Sequence, residues 1–585
     1  MNVGMDMPWR TCGVGQCQGA HVSDDRCLAH LEQEQRREYF AGLRPGADVD
    51  LRRTEMNPDL VKQLVRAVRN DDGHAVFGRV DFAEARFREF ANFEKAGFAS
   101  ADFTRAEFAG PVKFEKAVLR GRTSFADAQF GGNVSFAGST VEELDCRRAV
   151  FSGNVKFDQA IFVENGFARL AFRNTRFGKA VWFDHVVFRG DIRFQETQFR
   201  GETFFRRAVF EKSARFSPAG GFSHNVWFDD AEFLGLAGFE GLEFRGYTSF
   251  ADAKFGEDVI FGGSEFHDVA RFDKVRFGGR ARFQEVRFDG DTCFDGAEFE
   301  TAELFGPVEA SQLSFRHANF RKRVVVDTRT ARVDCAEAVF EEGVTLQIES
   351  ASVDLERAVF GKPSTVAGTT AEVTSLRGTD VEDLVLTDVD LSKCLFAGAH
   401  HLDKLRIEGD CTFGSPRRRQ TLAEERAWRT KSMDAIRPRR VAGLYRQLRK
   451  AQEDSKNEPG AADFYYGEME MRRHSPATPW SERAILHLYW LISGYGLRAL
   501  RALATLAVLI ALATVGFRLG GFKTTPAFGD TLIYVAQSTV SLETKLASLP
   551  KDLTPFGEVM RLVMRVLGPL LLGLTLLAVR NRVKR

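Results

Sequence analysis

The apolar and polar positions between Phe77 and Phe413 follow neither the helical nor the simple strand period. Phenylalanine returns at steps of five, then six, as in Phe233, Phe239, Phe244, Phe250, Phe255, Phe261, Phe266, Phe272 and Phe277. A small or β-branched residue stands two places before most of them, as in Ala128-Gln129-Phe130-Gly131-Gly132-Asn133-Val134-Ser135-Phe136. On a helix, positions five apart lie about 140° apart and build no seam, and the intervening Gly, Thr and Val are poor helix formers. Strand alternation fails as well, because mixing odd and even steps changes face at every unit. The pattern predicts a solenoid that turns a corner once per unit, with each Phe and the small residue two before it inside. Glycine two places after Phe is expected to ease the corner by accepting positive φ, with Arg200, Glu202, Asp289 and Asp291 in solvent. A buried Phe contributes about 2–3 kcal/mol by area, so packing alone accounts for the phenylalanines.

These units resemble the pentapeptide-repeat family in its Phe-centred variant, and Leu376, Val381, Leu386, Leu391 and Phe396 keep the strict five-residue step. The resemblance implies a mainly β fold, a right-handed quadrilateral β-helix with four units and roughly 22 residues per coil. At about 4.8 Å per coil the rod would be on the order of 70 Å long. Helical caps and a C-terminal α-helical transmembrane hairpin are expected around it.

Five segments follow: 1–50, 51–76, 77–413, 414–480 and 481–585. In the first, Cys12, Cys17, Cys27 and His30 form C-x4-C-x9-C-x2-H in a polar stretch too poor in apolar mass for its own core. Three thiolates and an imidazole close a tetrahedral structural zinc (Zn2+) site with no open catalytic position; His21 is an alternative ligand, and a tail with loose thiols is the alternative to zinc. In 51–76, Asn57-Pro58 supplies an N-cap and a first-turn proline for a helix over Leu60, Val61, Leu64, Val65 and Val68, which caps the rod.

The 414–480 segment is a basic helical linker, with amphipathic helices over Val441–Glu453 and Ala461–Arg472 separated by Asn457-Glu458-Pro459-Gly460. They either lie against anionic lipid or form a hairpin packed on the end of the rod. Trp490, Tyr489 and Tyr495 suit the headgroup zone. A first span is predicted over 497–519 and a second over 559–579, with Pro569 as a kink. Arg498 and Arg501 before the first and Arg580, Arg582, Lys584 and Arg585 after the second predict a multi-pass protein of the inner (cytoplasmic) membrane, with rod and C-terminus in the cytoplasm.

Phe528 to Leu542 reads as a short helix between the spans, so that the last 85 or so residues resemble the pore module of two-transmembrane ion channels. In the place of a T-V-G-Y-G filter stand Thr539, Val540, Ser541, Leu542 and Glu543. Without the two glycines a potassium-selective carbonyl ring is hard to build. In a homo-oligomer Glu543 would contribute a cation-attracting ring; otherwise it is a solvated loop carboxylate.

Net charge is +1, but it is segregated: roughly 43 basic against 54 acidic groups over 77–413, and roughly 28 against 14 over 414–585. The eight cysteines suggest no disulfide framework, and no secretory signal is visible, both in keeping with a reducing compartment. The 11 histidines are scattered and no nucleophile or phosphate-loop motif is present, so no enzyme is expected. The leading reading is a membrane-anchored scaffold that offers its rod to a cytosolic protein, with the bilayer as its other partner and no direct nucleic-acid binding. The alternative, by family resemblance, is a DNA mimic that binds topoisomerases; acidity confined to 251–413 argues against it.

Overall fold

The computed structural model describes residues 10–163, 170–217, 220–301, 303–415, 419–433, 435–524, 526–540 and 552–583. Contacts divide the chain into two units, Met1–Ala371 and Glu372–Arg585.

The first unit is a parallel β-solenoid. Alternate Phe end a strand of about two residues and the others directly follow one, as Phe136 follows Val134–Ser135; each strand pairs in parallel with its equivalents one coil before and after, so that Gln129 and Phe130 face Glu107 and Phe108 on one side and Val150 and Phe151 on the other. Four inward residues make one coil. Phe82, Phe87 and Phe93 stack on Phe103, Phe108 and Phe114 with ring centroids 5.1, 4.5 and 5.3 Å apart, and Phe98 is in register with Leu119. These spacings match the strand separation of a sheet. Neighbouring columns meet edge to face, as Phe272 does with Phe283 at 5.8 Å and 90°, the geometry aromatic quadrupoles favour. Cys146 and Cys335 take Phe positions in two columns and are buried; burial pushes both thiols up from their ordinary pKa.

The corners match expectation in part. Gly132 and Gly153, two residues after Phe130 and Phe151, are not in the left-handed region; a Cβ on Gly153 would lie 2.4 Å from the Gly132 oxygen of the preceding coil. Glycine is needed there because coils approach closely. Positive φ falls two residues after the other Phe of the eleven-residue unit, on glycine as expected at Gly138, Gly241, Gly263 and Gly296, but also on Lys95, Arg105, Lys116 and Asp127. There the turn is closed by the amide three residues after Phe, as Ala128 N–H donates to Phe125 O at 3.1 Å.

The solenoid also starts earlier than the Phe period shows. Ala47–Asp50 pairs with the strand Val76–Asp81, and Glu55–Met56 with Arg86–Phe87. This first half-coil is filled by Val49, Leu51 and Met56. Gln33–Gly42 (α1) precedes it, and Pro58–Ala67 (α2) follows, capped by the Asn57 side chain accepting from Leu60 N–H at 2.9 Å. Buried Leu60, Val61, Leu64 and Val68 form its inner face, and it packs on the strand Ala91–Asn92.

The second unit opens with narrower coils whose columns are Leu376, Val381, Leu386, Leu391 and Phe396, all buried, with Ser375 bridging Leu395 and Asp380 bridging His400. Helices follow: Ala423–Arg429 (α3), Pro438–Asp454 (α4), Glu458–His474 (α5), Trp480–Ser493 (α6), Ala499–Gly516 (α7), Phe528–Val540 (α8) and Pro555–Val583 (α9). The helices α4 and α5 form a hairpin over the last coils, where Phe464 meets Phe413 edge-on at 5.0 Å and Lys450 pairs with Asp403 at 2.9 Å.

Candidate functional site

Four predicted ligands converge near the N-terminus. Cys12 lies in a narrow loop closed by its own N–H donating to Gly19 O at 2.9 Å, with Cys17 N–H donating to Val14 O at 3.1 Å. Cys27 precedes a 3-10 turn over Leu28–His30, whose closing bond from His30 N–H to Cys27 O, 2.9 Å, swings the imidazole back over Cys27. The four ligand atoms lie within 4.8 Å of one another. His30 Nδ1 is 3.4 Å from both Cys12 Sγ and Cys27 Sγ, and Cys17 Sγ is 3.7 Å from Cys27 Sγ. With zinc–sulfur bonds of about 2.3 Å and zinc–nitrogen bonds of about 2.0 Å, a tetrahedron has edges of about 3.8 Å between sulfurs and about 3.5 Å from sulfur to nitrogen. The donor set therefore fits a closed structural zinc site, with His30 rather than His21 as its fourth member.

The electrostatics point the same way. Burial opposes the Cys12 thiolate, but backbone bonds at Cys27 and Val14 and the bond to His30 bring its pKa down to about 7. Burial and the neighbouring Cys17 and Cys12 push Cys27 up to about 12. Three thiolates this close would repel one another, and a bound cation would offset that repulsion. The cluster is fastened to the first coil by Ala20 N–H donating to Arg52 O and by Arg53 donating to Gln18, both at 2.8 Å.

At the other end of the chain, Ala499–Gly521 and Pro555–Val579 are long and apolar enough to cross a membrane. They share a small core of Ala513, Phe517, Phe522, Val535 and Met564 with α8. Thr539 and Val540 close α8: Thr539 is buried, its hydroxyl donating to Val535 O at 2.8 Å, whereas Val540 is exposed. Gly568 lets α9 pass against this point, since a Cβ there would lie 2.3 Å from Thr539 O. Ser541, Leu542 and Glu543 lie outside the described residues.

Two arrangements escaped the sequence reading. One is a buried polar network that links α3 to the turn before α7. Glu425 accepts from Arg419, Arg429 and Tyr445 Oη at 2.6, 2.7 and 2.5 Å, and Glu470 accepts from Arg473 and Tyr495 Oη at 2.8 and 3.2 Å. Tyr495 and Trp490, read as headgroup residues, belong to it: Tyr495 is buried, and Trp490 donates to Tyr466 Oη at 3.1 Å beneath the guanidinium groups of Arg473 and Arg501. The other is an outward aromatic column, Trp182 on Phe204 at 5.5 Å and Phe204 on Trp227 at 4.5 Å. Its one signal in the sequence is an aromatic directly before Phe183, Phe205 and Phe228.

The fold is thus that of a parallel β-solenoid protein with apolar C-terminal helices. The family model "Pentapeptide repeats (9 copies)" matches residues 103–150, 114–161, 172–220 and 228–276, so this stretch of the solenoid is built of pentapeptide repeats. No curated protein matches the chain.

Proposed function

We propose that this protein is a membrane-tethered, non-enzymatic interaction scaffold whose N-terminal end is clipped by a structural zinc ion. The observation that carries the tether is the outer surface of α7 and α9, where Leu500, Leu512, Leu562 and Leu576 are 73, 65, 65 and 63% exposed. Apolar surface on that scale is costly in water and at home in hydrocarbon. The scaffold reading rests on the solenoid, whose interior is filled by aromatic columns and whose variable residues all face outward, where a cytosolic protein would read them. Cys12, Cys17, Cys27 and His30 hold the zinc, which supplies folding free energy rather than chemistry.

This reading is favoured over a DNA mimic because many of the solenoid's carboxylates pair with cations one coil away. Arg148 pairs with Asp127 at 2.6 Å, Arg206 with Asp184 at 2.6 Å and Lys254 with Glu232 at 2.7 Å. A surrogate for the phosphate backbone needs carboxylates free to meet a basic groove. By the positive-inside rule, the basic flanks of α7 and α9 favour a solenoid and a C-terminus on the cytoplasmic side of the inner membrane. The test is fractionation with photocrosslinking from Phe204 and Trp227: the protein should resist alkaline carbonate extraction and yield a discrete adduct with a cytosolic protein. Recovery of the intact chain in the soluble fraction would refute the tether.

A further inference from the structure

The helix α6 has two unlike sides. Winding at about 100° per residue, it turns Leu486, Tyr489, Trp490 and Ser493 one way, where they pack with Tyr466, Met469 and Tyr495 of α5 and the following turn. The opposite side carries Trp480, Ile485, Leu488 and Leu491, which are 78, 66, 59 and 64% exposed. Ser481, Ala484 and Ile492 share that side, and exposed His487, whose Nδ1 lies 2.7 Å from Arg483 O, stands at its edge beside Trp480 and Leu491, so the side carries no Asp, Glu, Lys or Arg. An apolar face of this length requires a covering partner.

Its position says which. Only Gly494–Arg498 separates α6 from the apolar helix α7, and five residues span at most about 17 Å even when extended. They are not extended: Gly494 and Gly496 have φ of 55 and 72°, and Leu497 N–H donates back to Gly494 O at 3.3 Å. The end of α6 therefore cannot leave the surface of any bilayer that α7 crosses. Arg483 lies on the polar edge of the face, whereas Arg498 in the turn and Arg501 at the start of α7 stack their guanidinium groups on Tyr466 and Trp490 on the opposite side. An apolar stripe bordered by arginine is the make-up of a helix lying in the interfacial plane.

We propose that α6 is an interfacial helix whose Trp480, Ile485, Leu488 and Leu491 face sinks to the boundary between headgroups and acyl chains, while its other face is bolted to α5. The proposal rests on the reading that α7 spans the membrane. It would fix the height and orientation of the α3–α5 helices above the bilayer through the Glu470 network, instead of leaving them on a loose leash.

The experiment uses the full chain reconstituted in phosphatidylcholine/phosphatidylglycerol vesicles, with and without brominated acyl chains. Wild-type emission should be quenched by the brominated lipid more than that of Trp480→Phe. The triple variant Ile485→Glu/Leu488→Glu/Leu491→Glu should stay resistant to carbonate, since α7 and α9 are untouched, yet lose the Trp480 component of quenching. A carbonate-resistant wild type whose Trp480 is not quenched would overturn the interfacial placement and leave the tether standing. A photocrosslinker at Leu488 that joined two chains instead of labelling lipid would overturn it in favour of a second copy of the chain. Release of the wild type by carbonate would overturn both readings.

Discussion

Gly153 and Lys116 stand at two kinds of corner, the one set by close approach of the coils and the other by left-handed φ. An added Cβ at Gly153 would meet backbone of the preceding coil at 2.4 Å, so Gly153→Ala should cost about 1–3 kcal/mol through overpacking. Lys116, at φ 55°, should tolerate glycine: relief of about 1–2 kcal/mol of left-handed strain is offset by the chain entropy of glycine, about 0.5–1 kcal/mol. Thermal melts of the two variants check this, and a neutral Gly153→Ala would show that the coils can move apart. Phe261→Ala should cost about 3–5 kcal/mol, because the ring stacks between Phe239 and Phe283 at 5.0 and 5.1 Å. If the Cys/His cluster holds zinc as proposed, purified protein should contain it stoichiometrically by elemental analysis, and Cys17→Ser should lose it. Unchanged zinc in Cys17→Ser would remove that ligand from the site. The spacing singled out Cys12, Cys17, Cys27 and His30 as a cluster with His21 as an alternative; that His30 lies beside the thiols depends on the 3-10 turn that aims Nδ1 back at Cys27.

Among the elements, α3 carries two adjacent buried carboxylates with opposite behaviour. Burial pushes the Glu424 carboxyl up; one oxygen accepts from Phe396 N–H at 2.5 Å and the other, Oε2, is buried without a hydrogen-bond partner. Burial acts on Glu425 too, but Arg419, Tyr445 and Arg429 outweigh it and hold that carboxyl below its ordinary range. The signs follow by linkage. Glu425, depressed in the fold, contributes stability that is present above its unfolded pKa and lost as pH falls through the folded one; Glu425→Gln should therefore be destabilising at pH 7, by about 3–5 kcal/mol for a broken buried pair, and less so in acid. Glu424, raised in the fold, is more favourable protonated, so Glu424→Gln should be neutral or stabilising at pH 7 and lose that advantage on acidification. Melting temperatures between pH 4 and pH 8 separate the two, and parallel pH profiles would disprove the assignment. The existence of α2, α4 and α5 was plain from caps and apolar spacing. The network that joins α3, α5 and the turn at Tyr495 was not, because its members lie 20 to 40 or more residues apart with no repeat to link them.

For the molecule as a whole, the two-span reading predicts that reporters fused after Ser481 and after the C-terminus are cytoplasmic and that one inserted at Asp552 is external. A cytoplasmic signal at Asp552 would mean that α9 does not cross. Conduction is expected to fail the potassium test: Thr539 is buried against Gly568 of the same chain, and Ser541, Leu542 and Glu543 stand where a potassium filter needs glycine and tyrosine. Planar-bilayer recordings under opposed potassium and sodium gradients should show no reversal near the potassium potential, and any current should be weak and sensitive to Glu543→Gln. The sequence by itself determined the solenoid, because a residue's main neighbours there lie one coil away at a nearly constant separation; a repeated letter is enough to name its contacts. That same regularity placed Leu376, Val381, Leu386, Leu391 and Phe396 inside at the strict five-residue step. Only the tertiary structure decided the rest. Whether glycine serves φ or close approach depends on the distance between coils. The half-coil at Ala47–Met56 is recognisable only through its pairing, since it lacks the Phe signal. The helix α6 is apolar on both sides, so no periodic contrast reveals which side meets α5 and which is left for the membrane; the partners that settle it are far off in sequence and near only in the fold.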